Sequence, residues 1–508
     1  MSVLKIVALF ATLLHSLIEA EVIYNSSSAA KDDWWKYATY YQIYPRSFKD
    51  SDDDGMGDLK GITSKLQHLV NAGVTAAWLS PIFKSPGIDG GYDVSDFRDI
   101  DEKFGTMSDF EQLIKTAHEL GLKIILDYVP NHTSDQHVWF QLSKNKTAGY
   151  EDYYIWKKSY NSTTPPNNWK QITQLNEILL SDKLLLLPFT LNIIRGNTRV
   201  LMSEGYTDIN NTMKYYGNDT VDGAHFPFNF FIITQTSLNS TAKEIISAIK
   251  LWFQHMPSKC VANWVLGNHD RDRVATRLGL ENVDGYNMLT AFLPGALVTY
   301  YGEEIGMENG EVTWEEGQDP GACNGLESDF NSESRDFERT PFHWDSSVNA
   351  GFSTGNKTWL PVSSKYKTNN LELQSKDGVK SHFHVYQDLM KLRKEDTLIY
   401  GNLNVEVLAT YVLAFTRELD GNDTYVFIFN KGNYSTSVSL SSFKSLSGNV
   451  TVVLSSTNSS RNKGDTLSTA SIIMDAHEAI IAKSRSNVSV CWNIYTILLI
   501  MVLLFRIS

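Results

Sequence analysis

The stretch SDFEQLIKTAHELGLKIILDYVPNH (108–132) holds a helix and a strand in direct succession. Phe110, Leu113, Ile114, Ala117 and Leu120 recur at helical spacing and make one apolar face. Ser108 and Glu111 have the spacing of a capping box, and Gly121 supplies a helix stop. KIIL then reads as a short, continuously apolar strand, of the kind buried on both faces of a parallel sheet. A helix feeding directly into such a strand means a parallel βαβ unit. Asp127 closes the strand. In parallel α/β barrels chemistry collects at the C-terminal strand ends. Two further carboxylates stand in the same position: Glu204 in RVLMSEGY (199–206) and Asp270 in ANWVLGNHD (262–270). Acidic residues at three strand ends point to one site built for acid/base work.

Outward from that unit the pattern repeats. YQIYP (41–45), a helix near 62–72, and AAWLSP (76–81) come before it; FPFNFFII (226–233) and ALVTYYGEEIG (296–306) come after. With the three acidic strands this counts seven, where a closed (β/α) barrel needs about eight. Beyond residue 395 the pattern changes. NVEVLATYVLAFTREL (404–419), TYVFIFN (424–430) and NVTVVLSS (449–456) alternate with Gly/Asn turns and predict an antiparallel β domain over 396–483. The barrel is expected over 30–395, with 131–175 as an inserted, truncated subdomain.

The 508 residues carry a net charge of −13, which argues against nucleic acid and against an anionic membrane surface as partners. MSVLKIVALFATLLHSLIEA (1–20) has the Lys, the apolar stretch and the small residue at Ala20 of a secretory signal peptide. Asn-x-Ser/Thr sequons follow at Asn25, Asn145, Asn161, Asn218, Asn356, Asn422, Asn433 and Asn449, so a glycosylated, extracytoplasmic protein is expected. Cys260, Cys323 and Cys491 are too few for a disulfide scaffold; Cys260 and Cys323 either pair or stay as buried thiols. The tail 484–508 ends in NIYTILLIMVLLFRIS after the polar stretch SRSNVSV. That order reads as a glycosyl-phosphatidylinositol anchor signal at Asn487 or Ser489, or else as a short transmembrane tail, and either would tether the protein.

DYVPNH (127–132), LMSEGY (201–206) and LGNHD (266–270) resemble the α-amylase superfamily, glycoside hydrolase family 13, in its α-glucosidase (maltase) branch. YYQIYPRSF (40–48), GDLKGI (57–62), WLSPIF (78–83), GGYDVSDF (90–97) and RTPFHWD (339–345) carry the resemblance from Trp34 to about Ala482. It implies a (β/α)8 TIM-type barrel with an insertion after strand 3 and a C-terminal antiparallel β domain. It also implies hydrolysis of terminal α-1,4-glucosidic bonds in maltose, sucrose or short oligosaccharides by a retaining mechanism, through a pair of carboxylates about 5 Å apart. By this resemblance Glu204 is the general acid/base and Asp270 the transition-state stabiliser. His132 and His269 bind sugar hydroxyls, Tyr92 and Asp93 cap the nonreducing end, and Arg339 adds a contact.

The run Asp50-x-Asp52-x-Asp54-Gly-x-Gly-Asp58 offers oxygen ligands at the density a hard cation takes, although the EF-hand position for a closing Glu is Gly61. The maltase resemblance implies a structural Ca²⁺ there, held by Asp50, Asp52, Asp54, Asp58 and the Met56 carbonyl.

One expected element is missing. The family's nucleophile sits in a G-F-R-x-D-A motif on strand 4, and no such motif lies between Trp169 and Arg199. The residues there are KQITQLNEILLSDKLLLLPFTLNIIRGNT (170–198), with Asp182 as the one Asp and Leu180 where the Arg should stand. Either an altered transcript or deletion has replaced this strand in a maltase, or the chain has lost catalysis and keeps a membrane-tethered binding or receptor role.

Overall fold

The computed structural model describes residues 20–24, 33–156, 200–218 and 220–485. The chain divides into a unit over 30–393 and a second unit over 394–508 together with 1–29. In chain order β1 (Glu21–Tyr24) belongs to the second unit, and the strands of the first are β2 (Thr39–Ile43), β3 (Ala76–Leu79), β4 (Phe83–Lys84), β5 (Asp96–Ile100), β6 (Lys123–Leu126), β7 (Met202–Ser203), β8 (Phe226–Pro227), β9 (Asn263–Val265) and β10 (Ala296–Tyr300). The C-terminal strands are β11 (Asn402–Ala409), β12 (Val412–Glu418), β13 (Thr424–Asn430), β14 (Thr436–Val438), β15 (Asn449–Ser455), β16 (Thr466–Ser468), β17 (Ile472–Met474) and β18 (Ala479–Ser484).

Five strands form one parallel sheet in the order β6-β3-β2-β10-β9. β7 and β8 pair in parallel beside it, Met202 opposite Phe226 and Ser203 opposite Pro227. Asn263 joins the two groups: its side-chain carbonyl accepts from Asn229 N at 2.9 Å and its amide donates to Pro227 O at 2.5 Å. Helices Leu59–Ala72, Met107–Glu119, Ala242–His255 and Val283–Phe292 alternate with these strands. The apolar runs dictate the arrangement. β2, β3, β9 and β10 are buried at every residue, as strands covered on both faces must be. The architecture is that of a (β/α) barrel wall.

Some expectations lie outside the described residues: strand 4 with Asp182, the insertion beyond residue 156, the signal peptide apart from Ala20, Cys491, Asn25, Asn161, and the anchor positions Asn487 and Ser489. Among the described residues no helix is long and apolar enough to cross a membrane. Cys260 and Cys323 are free, half-buried thiols.

Local readings need correction in two places. The helix expected from Ser108 starts at Met107, and its capping box is Thr106 with Asp109. Thr106 Oγ1 accepts from Asp109 N at 3.3 Å, and Asp109 Oδ2 accepts from Thr106 N at 2.9 Å. Thr-x-x-Asp makes the same reciprocal bonds earlier in the chain, which leaves Ser108 and Glu111 inside the helix. The run 226–233 is not one strand. After Pro227, Asn229 Oδ1 accepts from Phe231 N at 3.1 Å and turns the chain into the helix Phe231–Gln235.

The C-terminal unit is an antiparallel sheet in the order β1-β11-β12-β13-β18-β15-β16, with β14 and β17 as a separate pair. Val412, Ala414, Val426, Ile428, Ile480 and Ala482 alternate onto one face and pack with Leu440, Phe443 and Met474. No sequence pattern announces β1. It follows Ala20 directly and pairs antiparallel with β11, Glu21 opposite Val405.

Candidate active site

His269 and Asp270 follow β9, which ends at Val265. His269 is 2 % exposed. Burial pushes its pKa down to about 4, so it is neutral. Gln42, on β2, donates its amide N–H to His269 Nδ1 at 2.9 Å. His269 Nε2 is then the protonated nitrogen, and it lies 2.7 Å from the Tyr92 hydroxyl. The two rings stack with centroids 5.6 Å apart and 2° between their planes.

Asp270 is embraced by cations. Its Oδ1 accepts from Arg339 Nη2 and from Arg335 Nη1, each at 3.0 Å. Arg339 also donates through Nε to the His269 carbonyl at 2.7 Å, so one buried guanidinium fixes both residues. Burial alone would raise the Asp270 pKa, but His269, Arg339 and Arg335 outweigh it and hold the carboxyl below its usual value. Arg335 is anchored in turn by Asp319, bonding Oδ2 through Nε at 2.8 Å and Oδ1 through Nη2 at 2.7 Å. Burial opposes ionisation of Asp319, yet the bidentate Arg335 pair takes it down to about 2.

Glu204 behaves in the opposite way. It follows the two-residue strand β7, and among the described residues nothing donates a hydrogen bond to its carboxyl. Burial pushes it up to about 8, and the charges of Asp270 and Asp127 add to the shift. By its surface area, however, Glu204 is exposed, so solvent screens much of this shift. The chemistry needs only the sign: Glu204 keeps its proton longer than a free glutamate. Asp127, after β6, is pushed by burial up to about 6 and accepts from the Tyr92 hydroxyl at 3.2 Å. Burial raises Tyr92 itself, and Asp127, Glu204 and Asp270 raise it further, so all three acidic strand ends converge on one phenol.

The structure therefore brings together Glu204, Asp270, His269, Tyr92 and Arg339. His132 joins at the edge, exposed, with Nε2 3.1 Å from the Tyr92 carbonyl. Asp93 lies in the turn that carries Tyr92. Its Oδ1 accepts from Ser85 Oγ at 2.7 Å and Asp89 N at 3.1 Å, and its Oδ2 from Ile88 N at 2.9 Å, so its carboxylate ties its own turn. Asp89 stands in the same turn. Burial raises its pKa, and the charges of Arg335, His132 and Arg339 oppose that. Sequence reading missed Asp89, Arg335 and Asp319. The signal for Asp89 was its place in the same Gly-rich turn as Tyr92; no local pattern marks Arg335 and Asp319 as partners.

In the acidic loop, Asp50, Asp52 and Asp58 each present a carboxylate oxygen within 4.8 Å of the others, a spacing that suits one shared cation. Asp50 and Asp58 are buried, and burial with the charges of Asp54, Asp58 and Asp50 raises the pKa of Asp52. Asp54 is not in that group; its Oδ1 accepts from Met56 N at 2.7 Å.

The model of the alpha amylase catalytic domain matches residues 42–182 and 188–401. Maltase 1 of Drosophila virilis is 38% identical over 553 residues, covering 90% of this chain and 87% of the relative. That alignment is longer than the 508-residue chain, so part of the relative has no counterpart here. An amino acid transporter heavy chain of Homo sapiens is 33% identical, covering 93% of this chain and 81% of the relative. Among solved structures, a single-residue variant of a trehalulose synthase in complex with Tris aligns with a TM-score of 0.77 at 25% identity, over 89% of this chain and 100% of that chain. The barrel wall, the C-terminal sheet and the convergent carboxylates agree with these matches: the chain belongs to the α-amylase family of glycoside hydrolases, in its α-glucosidase (maltase) branch.

Proposed function

We propose that the site binds the terminal glucose of maltose, sucrose or a short α-1,4-linked oligosaccharide, and that its residues are those of a retaining α-glucosidase short of its nucleophile. The opposite protonation of Glu204 and Asp270 carries the reading. A protonated Glu204 donates to the leaving oxygen and afterwards takes a proton from water. An ionised Asp270 faces the developing oxocarbenium charge. His132 and the neutral His269 bind sugar hydroxyls, and Tyr92 and Asp93 cap the nonreducing end. Arg339 and Arg335 position Asp270 rather than meet the bond.

The carboxylate that would attack is absent from the sequence between Trp169 and Arg199. The alignment that outruns the chain supports a missing stretch. As written, the chain does not form a glycosyl-enzyme. The test is hydrolysis of a nitrophenyl α-glucoside by purified protein: the expected rate equals that of Glu204→Gln, and turnover that depends on Glu204 overturns it. A second reading, a membrane-tethered, noncatalytic binding protein on this fold, is supported by the transporter heavy chain among the relatives. Tight binding of a glucose-shaped inhibitor without turnover is its signature.

The acidic loop is proposed to hold a structural Ca²⁺ through Asp50, Asp52 and Asp58, which would neutralise their mutual repulsion. Extracytoplasmic residence is supported by the leader and by the sequons Asn145, Asn218, Asn356, Asn422, Asn433 and Asn449, all of which are exposed. A lipid anchor or short membrane tail remains the proposal for 484–508.

A further inference from the structure

We propose that Ser47 and Trp359 are positioning residues for Asp270. They hold Arg339, and through it the Asp270 carboxylate and the His269 carbonyl, in one arrangement. The inference rests on the reading of the cleft and deepens it, since neither residue is among those assigned to the sugar or to the reacting bond.

Arg339 ends the short helix Phe337–Arg339 and reaches Asp270 and His269 with a buried guanidinium. That reach is only as well fixed as the Arg339 backbone. Ser47, on the turn Pro45–Phe48 after β2, fixes it at two points. Its Oγ donates to the Arg339 carbonyl, and its own carbonyl accepts from Phe342 N at 2.8 Å. Ser47 is fully buried, so water does not compete for these bonds. A hydroxyl has one proton to give and lone pairs to accept with. Trp359 Nε1 donates into Ser47 Oγ at 2.9 Å. An indole N–H can only donate and a carbonyl can only accept, so the relay runs one way, from Trp359 through Ser47 to Arg339.

A second route runs through rings. Trp359 lies against Tyr44 with centroids 5.9 Å apart and 30° between planes, and Tyr44 stacks on His269 at 5.8 Å and 26°. The Arg339 guanidinium carbon stands 5.5 Å over the same Tyr44 ring. Trp359 therefore backs both groups that border Asp270.

Trp359 is held in turn by a strap, residues 352–359, laid along the acidic loop. Phe352 O accepts from Asp50 N at 3.0 Å, and Gly55 O accepts from Trp359 N at 2.9 Å. Between them, Asp53 Oδ1 accepts from Thr354 N at 2.9 Å and from Thr354 Oγ1 at 2.6 Å. At Gly55, where φ is 96°, a Cβ would stand 2.5 Å from the Lys357 carbonyl oxygen, so the two segments run in close contact. The strap sets where Trp359 points.

The test is calorimetry of 1-deoxynojirimycin binding to the purified full chain, repeated across pH. Trp359→Phe removes the indole N–H and keeps a ring beside Tyr44. Ser47→Ala removes the relay. Asp53→Gly frees the strap at an exposed position whose φ of 67° suits glycine, and it serves should Ser47→Ala fail to fold. Trp359→Phe and Ser47→Ala are each expected to weaken binding about two- to tenfold, the worth of one hydrogen bond. The double variant is expected to be no weaker than Ser47→Ala, because the two stand in series. The acid limb of binding moves to higher pH in both. Burial opposes ionisation of Asp270, and His269, Arg339 and Arg335 outweigh it; a displaced Arg339 gives part of that up, with Glu204, Asp127 and Tyr92 unchanged across the cleft. Asp53→Gly moves both readings the same way and less far. Wild-type affinity in Trp359→Phe and Ser47→Ala, additive losses, or weakening with an unmoved acid limb overturns the inference. Failure of the wild type to bind the inhibitor removes the cleft reading by itself. Urea unfolding then decides the inference: Trp359→Phe and Arg339→Met, whose side chains share no hydrogen bond, are expected to combine non-additively by about threefold or more in the unfolding constant, and additivity overturns it.

Discussion

β9 and β10, the buried strands next to His269 and Asp270, have no exposed residue, whereas β6, which supports Asp127, has one exposed and three half-buried residues. β7, which supports Glu204, is two residues long, and Leu201 beside it is 48 % exposed. The same contrast runs through the polar groups. Asp270 has two arginines bonded to one oxygen, and Asp319 anchors the outer one. Glu204 has no donor among the described residues. Among the described residues, one half of the site is held from several directions and the other is not. A barrel wall depends on pairing at both edges of each strand, because number, tilt and shear are linked.

The sharpest way to break this comparison is to remove its strongest tie. Arg339→Met leaves Asp270 without its buried partner and is expected to cost about 3–5 kcal/mol in urea unfolding. A cost below about 1 kcal/mol would show that the tie contributes little. Next, truncating a leucine in each wall compares their packing directly. Leu297→Ala in β10, at 3 % exposure, is expected to cost about 2–5 kcal/mol. Leu126→Ala in half-buried β6 is expected to cost clearly less. Equal losses would mean that both walls are equally packed.

The acidic loop belongs to the well-held half, following β2. Chelation of Ca²⁺ is expected to lower the thermal midpoint, with a loss of about 2–3 kcal/mol if the cation is near a hundredfold above its Kd. Asp50→Asn should remove the chelator effect and Asp54→Asn should retain it, since Asp54 stands outside the converging group. A chelator-insensitive wild type would remove the cation from the account.

The smallest expected effect is in pH, because Glu204 is exposed and solvent screens most of its shift. The folded pKa of Glu204 lies above its ordinary value of 4.5, at about 8. The folded state thus holds this proton more tightly, and the contribution is complete below the unfolded value and lost as pH rises through the folded one. Thermal midpoints of wild type and Glu204→Gln should therefore diverge between pH 4.5 and about 8, with wild type losing ground as pH rises. Parallel curves would show that Glu204 is an ordinary solvated carboxyl.

Much of this was legible in the chain. The positions of Asp127, Glu204 and Asp270 after strands follow from apolar runs that end in polar residues, and the structure has all three following strands. The helix after Gly105 was legible in its apolar face and its stop at Gly121, with φ at 77°, but its start was misplaced. Two overlapping capping patterns compete there, and backbone geometry chooses the earlier one. That the Asp93 carboxylate also ties its own turn was not legible, because its donors Ser85, Ile88 and Asp89 are brought to it by the fold of the loop.

The sequence by itself determined the alternation of helix and strand, the strand-end placement of the acids, the β-rich C-terminal unit and the absence of a G-F-R-x-D-A strand. These are features of short stretches, set by side-chain periodicity and turn chemistry. The tertiary structure alone decided that the environment of Asp270 favours its ionised form while that of Glu204 disfavours it, and that Arg335 reaches Asp319 and Asp270 together. A carboxyl's pKa is set by the charges and the burial around it. Those neighbours arrive from strands and loops far apart in the chain, brought together only when the barrel wall forms.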